Sequence, residues 1–141
     1  MDNFSDMPVA EFGFPGVLRD KLVAAILNGS KTSTTSTVIE YSVESETPPQ
    51  VGQRQIVIDS DGKPSALIEI TAVTRARLAD VDVQHARDEG EGFESVEDWR
   101  RAHEEFWHGD AMRDHLDDPQ FTVNDSTMLI LERFRLVRLL P

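Results

Sequence analysis

Apolar positions recur with different periods along this chain, and each change of period marks an element. From Pro15 onward, Leu18, Leu22 and Ile26 return every four residues with Val23 beside them, which predicts a helix. Gly29 follows as its stop, because a left-handed terminal residue costs glycine little. Lys31 to Ile39 is dense in hydroxyl and β-branched side chains and reads as extended. Residues 44–50 carry Pro48-Pro49 and read as a loop. Gln55 to Asp59 predicts a strand, Asp61-Gly62 a hairpin turn, and Ser65 to Arg77 the returning strand.

The second half switches back to helical spacing. A short helix is expected over Val83 to Asp88, stopping at Gly90. A longer one starts behind Ser95 as N-cap, with Asp98 at the third helical position and Trp99, Ala102, Phe106 and Trp107 as its apolar face. A loop through Pro119 leads to strands at Phe121–Val123 and Met128–Val137. Strands interspersed with helices, without strict alternation, predict an α+β fold whose mostly antiparallel sheet closes into a small barrel. Residues 1–14 read as a flexible lead-in and residues 15–141 as one domain, with no repeat or linker dividing them.

Composition narrows the class. The chain has 141 residues, enough for one core, and no cysteine, which excludes disulfides, thiolate zinc sites and a cysteine nucleophile. That usage fits a reducing cytoplasm, the expected location. No apolar stretch approaches the about 20 residues of a membrane-spanning helix, so no membrane partner is expected. The net charge is −12, which argues against broad binding to a phosphate backbone, and no DNA partner is expected. Acid concentrates between Asp80 and Asp118, with 14 Asp and Glu against 4 Arg and no Lys. A neutral or cationic small molecule is the easier ligand.

Two stretches carry candidate chemistry. In Gly29-Ser30-Lys31-Thr32-Ser33-Thr34 a lysine enters a strand just after a helix-ending glycine. A regular strand puts Lys31 and Ser33 on one face and Thr34 on the other, so joining Lys31 to Thr34 takes a bend. On physics alone a solvated lysine in a Thr-rich edge strand is the simpler account. It is no phosphate loop, since Ser30 stands where that motif needs glycine. In His85-Ala86-Arg87-Asp88-Glu89-Gly90-Glu91-Gly92, carboxylates sit at a helix-to-loop junction where backbone can approach a ligand. A carboxylate at a helix C-terminus opposes the helix dipole, and that conflict marks Glu89 as a functional candidate.

His85, His103, His108 and His115 raise a zinc site and do not support it. His103 and His108 are five apart, whereas the metalloprotease helix needs four, and Trp107 holds that position. The histidines read as solvated or core-edge, and no metal or other cofactor is expected. Trp99, Phe106 and Trp107 read as core, with Trp107 the one favoured to line a pocket.

The stretch Gly29 to Thr34 resembles the Gly-x-Lys-x-x-Thr signature of the ASCH family. Glu89 to Trp107 and Leu131 to Val137 are similar to the central and closing segments of its larger bacterial members, so the likeness runs from Phe12 to Val137. The resemblance implies a PUA-like fold: a small bent β-barrel, mostly antiparallel, with helices packed at its openings. Small bacterial relatives act as amidohydrolases on acetylated cytidine and similar acylated nucleosides, using a lysine, a threonine and a glutamate. Carried over, these fall on Lys31, Thr34 and Glu89, the last following the His85-Ala86 pair. Ser33, Glu91 and Trp107 become the expected substrate-binding positions. The small enzymes carry an arginine soon after the threonine, where this chain has Ser36-Thr37-Val38, and residues 93–125 make it longer. The implied partner is a nucleoside-like small substrate. Family links to RNA make binding or cleavage of single-stranded RNA in the same pocket the rival.

Overall fold

The structure is a computed structural model and describes residues 7–141. Its strands are β1 (Val9–Ala10), β2 (Ser33–Thr37), β3 (Arg54–Ile58), β4 (Pro64–Arg77) and β5 (Met128–Leu139), in the order β1-β3-β4-β5-β2. All neighbours are antiparallel except β1 and β3. The helices are α1 (Val17–Leu27), α2 (Val38–Val43), α3 (Val83–Asp88), α4 (Val96–Trp107) and α5 (Asp110–His115), with a 3-10 turn at Leu78–Asp80. The Ser95 hydroxyl accepts the Asp98 N–H at 3.1 Å, which starts α4 where the capping pattern places it.

The expected closed barrel does not form. Among the described residues β1 pairs only with β3 and β2 only with β5, so the sheet is open. It bends instead, through register shifts between β4 and β5 at Leu67/Ile68 and Ile70/Ala72. The outer edge of β2 meets α3: the Thr32 N–H donates to the Asp88 carbonyl at 2.8 Å and the Ser33 hydroxyl to the His85 carbonyl at 3.0 Å. A helix end covers the edge that a barrel would pair with a strand.

Four further expectations change. The lead-in of residues 1–14 lies partly outside the described residues, but within it Val9 and Ala10 form β1 and Phe12 is core. Buried Arg19 pins that segment, donating to the Phe12 carbonyl at 3.3 Å and the Gly13 carbonyl at 2.8 Å. The extended run ends early, because Thr37 and Glu40 form a capping box that turns Val38 and Ile39 into α2. The segment 110–115 is helical, with Met112 and Leu116 buried. Phe121–Val123 is not a strand; its backbone is held by side chains, the Val123 N–H donating to His108 Nε2 at 3.0 Å and Arg113 Nε to the Phe121 carbonyl at 3.0 Å.

The apolar interior has two parts. One joins α1 to the β3–β4 sheet through Phe12, Leu22, Ile26, Val57, Ile68, Ile70 and Phe134. The other gathers Leu78, Ala86, Trp99, Trp107, Met112 and Leu129 under α3, α4 and α5. Phe12 of the first part lies beside Lys31, and Trp99 of the second bonds Glu89, so this charged pair sits where the two parts meet. Among the described residues no helix is long and apolar enough to cross a membrane.

Candidate functional site

Two chain segments are laced together to make the site. Lys31 leaves the end of α1, its N–H donating to the Ala25 carbonyl at 3.1 Å, just before β2 begins. Glu89 is the C-cap of α3, and Gly90 follows at a φ of 78°. A Cβ on Gly90 would lie 2.8 Å from the backbone N and Cα of Lys31, so only glycine permits this approach. That contact brings two residues 58 positions apart into one buried pair.

Lys31 and Glu89 are each only 2% exposed. The Lys31 ammonium donates to the Ser33 carbonyl at 2.8 Å and the Glu89 carbonyl at 3.3 Å, and its Nζ lies 3.8 Å from Glu89 Oε1. The Phe12 ring stands 5.8 Å from the same nitrogen. Burial pushes the Lys31 pKa down, and the opposing pull of Glu89, Glu91 and Glu132 does not restore it.

Glu89 is the centre of the network. Its Oε2 accepts from the Trp99 indole N–H at 2.7 Å and from the Thr35 hydroxyl at 2.7 Å. Because that hydroxyl gives its only proton to the carboxylate, it accepts from His85 Nε2, 2.7 Å away. His103 donates from Nδ1 to the Trp99 carbonyl at 2.8 Å and approaches Glu89 Oε1 through Nε2 at 3.2 Å. Burial pushes the Glu89 carboxyl up, but His103, His85 and Lys31 together outweigh it and hold its pKa well below the usual carboxylate range. The unfavourable position at a helix C-terminus is thereby offset.

The pair floors a cleft of about 960 Å³ whose walls include Phe14, Thr34, Tyr41, Glu91, His103, Phe106, Trp107 and Glu132. Thr34 faces Glu132 across the β2–β5 ladder, and the Tyr41 hydroxyl donates to that carboxylate at 2.7 Å. Burial pushes the Glu132 carboxyl up, against the Tyr41 hydrogen bond and the Lys31 charge.

The expected residues divide accordingly. Lys31 and Glu89 meet. Thr34 lines the same cleft, yet among the described residues the hydroxyl bonded to Glu89 is that of Thr35. Ser33 is fully buried and turned to the His85 carbonyl, while its own carbonyl holds Lys31. Glu91 stands exposed at the rim, where partial desolvation against the cleft wall and the nearby Glu89 charge push its carboxyl pKa up. Trp107 is 1% exposed, and serves the core and the cleft wall together.

The reading of all four histidines as solvated or core-edge fails for two of them. His85 and His103 both reach Glu89, whereas His108 holds the 121–123 loop and His115 pairs with Glu44 at 3.5 Å. The missed signals are spacings: His85 and Glu89 are four apart on α3, Trp99 and His103 four apart on α4. Ligand atoms of Glu89, Glu91 and His103 lie within 4.8 Å of one another, a spacing a cation could bridge. Here the His103 bond to Glu89 and the Lys31 ammonium already supply positive charge to that carboxylate.

The ASCH domain profile matches residues 9–138. Among solved structures, an ASCH domain from Lactobacillus crispatus JV V101 is 30% identical, with a TM-score of 0.79 over 95% of this chain and 81% of that one. A protein from Enterococcus faecalis V583 is 26% identical, with a TM-score of 0.79 over 94% of this chain and 77% of that one. No curated protein matches the chain. With the profile covering nearly all of the strands and helices that hold Lys31 and Glu89, this chain belongs to the ASCH domain family.

Proposed function

We propose that the protein hydrolyses an amide-linked acyl group on a nucleoside-like small molecule, of the acetylated cytidine type. The observation that carries this reading is a lysine buried at the floor of an open cleft, with a lowered pKa and a fixed carboxylate beside it. A desolvated lysine is neutral part of the time and can act as a base. In this reading neutral Lys31 takes the proton of the Thr34 hydroxyl, which attacks the acyl carbon. Glu89 holds Lys31 in place, since its own oxygens are committed to Trp99, Thr35 and His103. The aromatic wall of Phe14, Phe106 and Trp107 suits a flat base.

The test is turnover of acetylated cytidine by the purified protein, followed by product formation at low and moderate salt. The reading expects turnover nearly independent of salt, and none from Lys31→Arg, because a guanidinium stays protonated. Thr34→Val should also be inactive. An active Lys31→Arg enzyme would remove the base role. No turnover together with RNA binding that weakens steeply with salt would transfer the pocket to single-stranded RNA.

A further inference from the structure

We propose that His103 is the acid that protonates the leaving amine, using a proton it shares with Glu89. This inference rests on the hydrolase reading above and adds a catalytic group to it.

A backbone carbonyl can only accept, so the 2.8 Å contact to the Trp99 carbonyl places a proton on His103 Nδ1. The other nitrogen, Nε2, lies 3.2 Å from Glu89 Oε1. An unprotonated ring nitrogen and a carboxylate oxygen would repel at that distance, so a proton stands between them. It does not reside on Oε2, which already accepts from Trp99 and Thr35. The shared proton is therefore aimed at the oxygen that also faces Lys31, 3.8 Å away.

The His103 side chain is 13% exposed and opens into the cleft, whereas Glu89 lies deeper at 3%. The groups facing His103 are Glu89 from the end of α3, Glu91 from the following loop, and the rings of Phe93, Trp99 and Trp107. Lys31 and His85 reach the same carboxylate from its other sides. Burial pushes the His103 pKa down, and the charge and hydrogen bond of Glu89, the Trp99 carbonyl and the charge of Glu91 more than reverse it.

The step balances. Thr34 Oγ bonds to the acyl carbon as its proton passes to neutral Lys31. The tetrahedral adduct collapses, the C–N bond breaks, and the departing nitrogen takes the Nε2 proton of His103 as the amine leaves. Water then attacks the acyl-threonine ester and gives a proton to neutral His103, while the Lys31 ammonium returns its proton to Thr34. Acid and amine are released, and each group regains its starting state. An amine is a poor leaving group without a proton, so the acid matters most for amides.

That difference supplies the test. Native enzyme and His103→Gln are assayed on acetylated cytidine and on p-nitrophenyl acetate, whose phenolate leaves without protonation. The expected result is a loss of about 10²–10⁴-fold on the amide and a much smaller loss on the ester. Equal losses on both substrates would overturn the acid role and leave the hydrolase reading standing. No amide turnover by the native enzyme, with ester turnover intact, would overturn both. Nitrogen NMR of the native protein gives a second readout that does not depend on the variant folding. Two protonated ring nitrogens on His103 at neutral pH support the proposal, and a neutral ring overturns it.

Discussion

Replacing Gly90 with alanine tests the contact that assembles the site. Two costs add. The φ of 78° is left-handed, a region that costs an alanine about 1–2 kcal/mol. The new Cβ would also stand 2.8 Å from Lys31 N, Lys31 Cα and Ser30 O, all backbone atoms that cannot swing aside. Forcing such an overlap apart costs about 1–3 kcal/mol, giving roughly 2–5 kcal/mol in all. For a chain of this length 1 kcal/mol moves Tm by roughly 3–4 °C, so Gly90→Ala should melt roughly 6–20 °C lower. Gly92→Ala is the internal control: its φ is 87°, but its Cβ would meet nothing within 4 Å. It should lose only the backbone part, roughly 3–8 °C. Thermal melts of both variants decide the matter. If Gly90→Ala melts no lower than Gly92→Ala, the close approach of the two segments contributes nothing and the lacing argument is wrong.

The remaining predictions concern the Glu89 network. Trp99→Phe removes the indole donor and leaves a buried carboxylate short of one hydrogen bond, which should lower stability by about 1–3 kcal/mol in urea melts. The folded pKa of Glu89 is depressed, so its stabilising contribution is complete above the unfolded value near 4.5 and is lost as pH falls towards the folded value. His103 acts in the opposite sense: its contribution is complete below 6.5 and fades as pH rises through its raised folded value. Urea midpoints followed against pH should show both slopes in the native protein, and Glu89→Gln should flatten the acid one; an unchanged acid slope would show that Glu89 is not held by these partners.

Much of the fold was legible because its signals are local. The hairpin at Asp61-Gly62, the Ser95 cap and the apolar spacing of α1 each depend on a few neighbouring residues, and each element stands close to its expected place. Where the reading failed, a different force decided. At 38–39 two β-branched residues favour a strand, yet the reciprocal bonds of Thr37 and Glu40 start a helix there. At 121–123 the apolar alternation is that of a strand, but His108 and Arg113 take the backbone bonds that a neighbouring strand would need. Closure of the barrel is a property of distant edges, and the covering of β2 by α3 has no local mark in the sequence.

The site shows the same division at closer range. Lys31 and Glu89 are far apart in the chain, and only the family resemblance joined them before the structure did. The residues around them follow from what a buried carboxylate requires. An ionised group taken out of water must be paired and hydrogen-bonded on nearly every side, or it takes up a proton instead. Glu89 stays ionised, so donors had to come from somewhere, and the helices flanking it offer them at four-residue spacing: His85 from α3, Trp99 and His103 from α4. Thr35 completes the set from β2, one position beyond the threonine that the resemblance names. The division of labour follows. Thr34 and Thr35 both line the cleft, but a hydroxyl giving its proton to Glu89 and receiving one from His85 is tied on both counts, which makes Thr35 a support, whereas Thr34 has a buried carboxyl across the strand. Exchanging the two roles would require breaking two of the shortest bonds in the network, so the proposed hydrolysis assigns the attacking hydroxyl to Thr34 and not to Thr35.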